Sequence, residues 1–179
     1  MGLGNPGERY ARTRHNIGWM LADALAGKEA AWKNFHDLGF CLNAGGLILA
    51  KPATYMNESG IMVGRLAAFH KIEPGQILVC FDDMDLPLGR LRLRENGSSG
   101  GHNGMRSVID ALKTDDVPRL RLGIGPKPEG FEGASFVLSR FSSVERAPVD
   151  LMIDAAAQAV ALARAQGLSA AMNRFNAKP

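Results

Sequence analysis

Five polar residues carry the side chains from which this sequence could build chemistry: Asn5, His15, Asn57, Asp82 and Asn103. A histidine whose second nitrogen meets a carboxylate is held in one tautomer with its imidazolium stabilised, so it can take a proton from water near neutral pH. Asp82 is the candidate carboxylate. Asparagine amides can donate to a carbonyl oxygen that becomes anionic, the electrostatic help that ester hydrolysis requires. A plainer use of each residue stays open. Asn57 and Asn103 precede helical patterns and fit as N-caps, while Asp82 fits as a strand-ending turn residue.

Other chemistries match less well. Gly97-Ser98-Ser99-Gly100-Gly101 has the form of a nucleophile elbow, but that site requires an acid and then a histidine downstream, and the last histidine is His102. A glycine-serine hinge between strand and helix is the better reading. His15, His36, His70 and His102 show no HExxH spacing and Cys41 and Cys80 form no CxxC, so no metal site is expected. His36 and His70 read as surface or helix-end residues. Gly2-x-Gly4-x-x-Gly7 has the dinucleotide spacing, yet it lacks the preceding strand, the helix opening at the glycines and the acidic residue after a second strand.

The elements that must position these groups follow from periodicity. Gly2 to Gly7 is a tight loop that a ligand could approach closely. Ile17, Met20, Leu21, Ala24 and Leu25 then recur at helical spacing up to Gly27, which puts His15 and Asn16 at the mouth of a helix. Apolar runs on either side of Gly45-Gly46 predict a β-hairpin ended by Lys51-Pro52. A second helix holds Ile61, Met62, Leu66 and Phe69. Ile77 to Phe81 is a continuous apolar run expected for a strand buried on both faces, stopping at Asp82-Asp83-Met84-Asp85. Leu88 to Arg94 and Arg119 to Leu122 alternate, which predicts half-buried strands with Arg90, Arg92, Arg94, Arg119 and Arg121 on solvated faces. Between them lies a helix with Met105, Val108, Ile109 and Leu112. Phe136-Val137-Leu138 is a short strand candidate, and Val149 to Ala163 forms a long helix stopped by Gly167, with Ser169 the candidate cap of a last one. Strands interleaved with helices predict an α/β fold, a single three-layer domain over residues 1–179 with a mixed sheet flanked by helices.

Size and charge fit that reading. A chain of 179 residues is long enough to bury a sizeable core without disulfides or metals. Its net charge of +3 permits a polyanionic partner without requiring one. Cys41 and Cys80 lie far apart among apolar neighbours, which predicts buried thiols in a reducing cytoplasm, with a disulfide left open. No run is long enough to span a bilayer and no signal-peptide pattern is present, so neither membrane insertion nor export is expected.

The motifs taken together carry a resemblance. Gly2-Leu3-Gly4-Asn5-Pro6-Gly7 with Tyr10 and Thr13-Arg14-His15-Asn16 resembles the start of the bacterial peptidyl-tRNA hydrolases. Lys51-Pro52-x-Thr54-Tyr55-Met56-Asn57-x-Ser59-Gly60, Asp82-x-x-Asp85-Leu86-Pro87-x-Gly89 and Gly100-Gly101-His102-Asn103-Gly104 follow in that family's order. Arg119-Leu120-Arg121-x-Gly123-Ile124-Gly125 and Phe136-Val137-Leu138 complete a match over nearly the whole chain.

The resemblance implies an enzyme that cleaves the ester joining a peptide to the terminal ribose of tRNA, with water as nucleophile and no metal, cofactor or covalent intermediate. By position, His15 would activate the water, Asp82 would hold and polarise His15, and Asn5 would help recognise the peptide part. Tyr10, Tyr55, Asn57 and Asn103 would line the substrate site with Met56 beside them, and Arg94 and Arg121 would meet the tRNA terminal phosphate. The expected partner is peptidyl-tRNA, met by a cytoplasmic monomer. Two alternatives are an RNA-binding protein of the same fold and a dinucleotide-dependent enzyme. One departure stands out: the family has a short apolar strand before the first glycine loop, and here only Met1 precedes it. Either the start is truncated or upstream residues are missing, and loss of a central strand would forfeit buried backbone hydrogen bonds and loosen the loop holding Asn5.

Overall fold

A computed structural model describes residues 1–177. The first helix, α1 (Ile17–Ala26), follows a 3-10 turn at Arg14–Asn16 and ends at Gly27. Three antiparallel strands come next: β1 (Lys33–Asn34), β2 (Gly39–Ala44) and β3 (Leu47–Pro52), with β2 and β3 forming the predicted hairpin around Gly45 and Gly46. Helix α2 (Ser59–His70) leads to β4 (Val79–Pro87) and β5 (Leu91–Arg94), then α3 (Asn103–Leu112) and β6 (Arg119–Gly125). Helices α4 (Gly133–Val137), α5 (Arg146–Gln166) and α6 (Leu168–Phe175) close the described chain.

Strand β6 lies between β4 and β5, parallel to the first and antiparallel to the second. Met1 to Leu3 join this mixed ladder to the hairpin: the Gly2 amide donates to Ala50 O at 2.9 Å, while the Leu3 amide donates to Cys80 O and the Cys80 amide to Met1 O. Three residues thus make the central backbone contacts expected of a longer strand. Helix α1 presses directly on them, since a Cβ on Gly18 would lie 2.4 Å from Cys80 O and 2.6 Å from Leu3 N. The space left by Gly2 and Gly4 is taken by Gly18 and Trp19, so these glycines serve helix packing rather than approach of a ligand.

Alternation along β4 divides the core into layers. Val79 and Phe81 pack with Val63 of α2 and Met105 and Val108 of α3, while Cys80 joins Ile17, Leu21, Leu120, Met152 and Ala156 on the opposite face. Cys41 and Cys80 are both free thiols.

Several local expectations are corrected. Residues 136 and 137 belong to helix α4, because a three-residue apolar run has no period of its own and its position against the core decides the outcome. Strand β4 continues through the acidic cluster to Pro87, where β6 supplies its pairing as far as Gly125. Arg119 is buried, not solvated: β6 is the middle strand, and Arg119 donates to the carbonyls of Val117, Ser98 and Asp115 at 2.9 Å each and to Gly97 O. Asn57 lies inside a 3-10 turn, Asn103 is the first residue of α3 with His102 as its cap, and Ser169 lies inside α6, where its hydroxyl meets Glu95.

Candidate active site

The Gly2 to Gly7 loop is clasped to the start of α1 by a reciprocal pair: the Asn5 amide donates to Asn16 Oδ1 and Asn16 Nδ2 donates to Asn5 O, each at 2.9 Å. Asn5 Oδ1 accepts from the Met56 amide at 2.8 Å, which fixes the side chain's orientation and leaves its Nδ2 hydrogens for the neighbouring cavity. The Lys51 to Gly60 stretch therefore fixes the orientation of Asn5.

His15 stands on the turn just before α1, and its Nδ1 lies 2.7 Å from Asp82 Oδ1 on β4. Asp82 is 3 % exposed. Burial acts to raise its carboxyl pKa, but the imidazoles of His15 and His102, by charge and hydrogen bond, overcome this and hold it well below the usual carboxylate range. With Nδ1–H donating to a carboxylate, His15 keeps the Nε2 lone pair for the cavity that it lines.

His102 is the residue that the sequence reading gave no role. Its Nδ1 accepts from the Met105 amide at 3.1 Å and caps α3, while its Nε2 lies 3.0 Å from the same Asp82 oxygen. An acceptor at Nδ1 places the proton of the neutral ring on Nε2, so the hydrogen-bond network makes His102 a donor to Asp82. The available signal was the pair Gly100-Gly101 before a helix start, where a cap must stand; an imidazole is an uncommon one.

His15, Asp82 and His102 also offer three metal-ligating atoms, all within 4.8 Å of one another. A cation on His102 Nε2 would force the ring proton onto Nδ1, against the Met105 N–H, and so undo the cap. The donor set fits a hydrogen-bonded trio better than a metal centre.

A cavity of about 360 Å³ opens over these groups, lined by Asn5, His15, Asp82, His102, Asn103 and Arg121, with α4 as its apolar far wall. Tyr10, Tyr55, Met56, Asn57 and Arg94 are not part of this lining. Tyr55 is 54 % exposed, Asn57 is exposed, Met56 is buried behind Asn5, and Tyr10 lies under the Arg9 guanidinium. Arg94 lines an adjoining cleft of about 230 Å³ with Arg121, Arg119 and the 96–100 loop, and Phe81, Ser99, Gly100 and Arg121 border both spaces. Arg121 is tied down: its Nε lies 2.5 Å from Asp83 Oδ2, an ion contact made off the N–H direction.

The arrangement offers a base held by a carboxylate, amide donors beside it and a basic cleft next door. Known proteins resemble this chain over nearly its whole length. The sequence profile described as peptidyl-tRNA hydrolase matches residues 1–179. The chain is 48 % identical to a peptidyl-tRNA hydrolase of Elusimicrobium minutum, over 98 % of this chain and 97 % of that protein. It is 47 % identical to that of Mycobacterium tuberculosis, over 99 % and 96 %. The crystal structure of peptidyl-tRNA hydrolase from Acinetobacter baumannii superposes with a TM-score of 0.90 at 37 % identity, covering 98 % of this chain and 92 % of that one.

Proposed function

The chain belongs to the peptidyl-tRNA hydrolase family, and from that premise we propose that it cleaves its substrate by water activated at His15. The family's reaction is hydrolysis of the ester between peptide and tRNA, which releases free tRNA. His15 Nε2 takes a proton from water, and the hydroxide attacks the ester carbonyl. Asp82 favours the imidazolium that results, while the side-chain amides of Asn5 and Asn103 donate to the oxyanion. Collapse breaks the bond to the ribose oxygen, which takes the proton back from His15. The observation that carries this reading is the 2.7 Å contact of His15 Nδ1 with a buried carboxylate at the floor of the cavity.

Arg94 and Arg121, beside the base in the adjoining cleft, are proposed to hold a tRNA phosphate. Tyr10, Tyr55 and Asn57 would then meet substrate outside the cavity, with Met56 supporting Asn5 from below. We take the active unit to be a monomer, since one chain supplies every group named, and to work in the cytoplasm, where its substrate arises. Among the described residues no helix is long and apolar enough to cross a membrane.

The test is hydrolysis of an N-blocked aminoacyl-tRNA beside its unblocked counterpart, by the protein and by His15→Ala. General base catalysis is worth roughly a hundred- to ten-thousand-fold, so the variant should lose most turnover with its circular dichroism unchanged. Near-normal turnover in a folded His15→Ala would exclude the mechanism.

A further inference from the structure

Arg14 sits beside the catalytic base in sequence but points the other way. It is 7 % exposed, and its guanidinium lies between two rings, 4.7 Å from the centroid of Phe136 and 4.8 Å from that of Phe141. Its Nε donates to Ser139 Oγ at 3.1 Å, and an Nη donates to Glu145 Oε2 at 2.9 Å. Its backbone amide donates to Ser139 O at 2.9 Å, and Thr13 bridges to Arg140. Glu145 Oε2 is itself fixed by the Ser142 amide and hydroxyl at 2.8 Å, and the Ser139 hydroxyl donates to Phe136 O at 2.7 Å. A longer bond runs from Nη1 to Ile124 O at 3.4 Å on β6, and all the other partners lie between residues 136 and 145. That segment continues α4, whose Gly133, Ala134 and Val137, with Leu138, form the wall of the cavity that His15 lines.

We propose that Arg14 is a positioning residue: clasped to Glu145 and Ser139 and stacked between Phe136 and Phe141, it holds the α4 wall at a fixed distance from His15 and so sets the fit of the substrate's acyl group. The five-residue helix α4 is too short to be stable alone, so its place depends on what it packs against. The stack and fork need a planar guanidinium, which lysine does not supply. Glu145 remains ionised down to a pKa of about 2, chiefly through its bond to Arg14, so the clasp stays closed at any working pH. The proposal rests on the reading above that the ester is cleaved in the cavity that His15 lines, and adds that the α4 wall meets its acyl part.

The experiment measures KM, kcat, the pH-rate profile and Tm for Glu145→Gln and Arg14→Lys on one N-acetylaminoacyl-tRNA. Expected is a KM raised roughly tenfold, the lower end of what a lost charge-assisted hydrogen bond is worth, with kcat nearly kept and the acid limb of the profile unmoved. The double variant should be little worse than either single one, because both break the same clasp. A lowered Tm with unchanged KM would make the cluster structural only and overturn the proposal. A shifted acid limb would also overturn it, by showing that the effect passes through His15. If Arg14→Lys does not fold, Glu145→Gln and Ser142→Ala decide the matter. An active His15→Ala would refute the general base and leave this clasp standing, so the two failures are distinct.

Discussion

His102 and Asp82, twenty residues apart in sequence, are joined by a 3.0 Å hydrogen bond whose direction is fixed at the far side of the ring, where Nδ1 accepts from the Met105 amide. Asp82 Oδ1 therefore receives two imidazole N–H groups, one from His15 and one from His102. The two rings lie 5.0 Å apart between centroids, tilted by 54°. Each donor draws on the same negative charge, so the hold of Asp82 on His15 depends on His102.

Replacing His102 by Ala should thus strengthen the pull of Asp82 on the His15 imidazolium and move the acid limb of the pH-rate profile to higher pH. Turnover should fall as well, because Asp82 loses a fixed contact, and loss of the α3 cap should lower stability by about 1 kcal/mol. An acid limb that stays in place would remove His102 from the proton network.

Asp82→Asn should move the limb the opposite way. A neutral amide no longer favours the imidazolium, so the acid limb should move to lower pH. The loss of turnover should be smaller than in His15→Ala, since the proposed base remains. Opposed shifts in the two variants are the result that pairs both residues with His15; a profile unchanged in Asp82→Asn would break that pairing.

Glu145 gives a stability prediction with a definite sign. Its folded pKa, about 2, lies below the ordinary 4.5, so the stability it contributes is fully present above pH 4.5 and is lost as pH falls toward 2. In urea titrations Glu145→Gln should be less stable than the parent at neutral pH, and the gap should narrow through that window. A gap independent of pH would mean that charge on Glu145 is not what holds Arg14.

Much of this site was legible from residue types alone, and the reason is local. His15 follows a glycine loop and opens a helix, and Asp82 follows a run of five apolar residues, so periodicity sets both apart from the apolar patterns beside them, although Asp82 lies buried inside β4 rather than at its end. What periodicity could not give was strand order. Arg119 and Arg121 alternate as a half-exposed strand would, yet β6 is the middle strand and the 97–98 carbonyls close over Arg119. Helix α4 was missed for a related cause: Phe136 and Val137 are buried in the core, and a three-residue apolar run has no period to say which backbone carries them there. His102 escaped because its role needs two elements far apart in the chain.

The two cleft arginines, Arg94 and Arg121, face the same space from different strands. Arg94 stands opposite Arg119 in the β5–β6 register, and Arg121 lies two residues further along β6, so Arg94 and Arg121 share one face and border the same space. Their surroundings differ. Arg94 is exposed, whereas Arg121 is in ion contact with Asp83, a carboxylate 6 % exposed. If both hold a tRNA phosphate, either change to Ala should weaken tRNA binding and flatten the slope of log affinity against log salt by roughly one unit, while cleavage of a minimal substrate lacking that phosphate changes little. Arg121→Ala should add an effect that Arg94→Ala lacks, a lower Tm, because Asp83 is left buried without its cation. Equal losses on full and minimal substrates would assign both arginines to the fold. A lowered Tm in Arg121→Ala with normal salt dependence would leave phosphate recognition to Arg94.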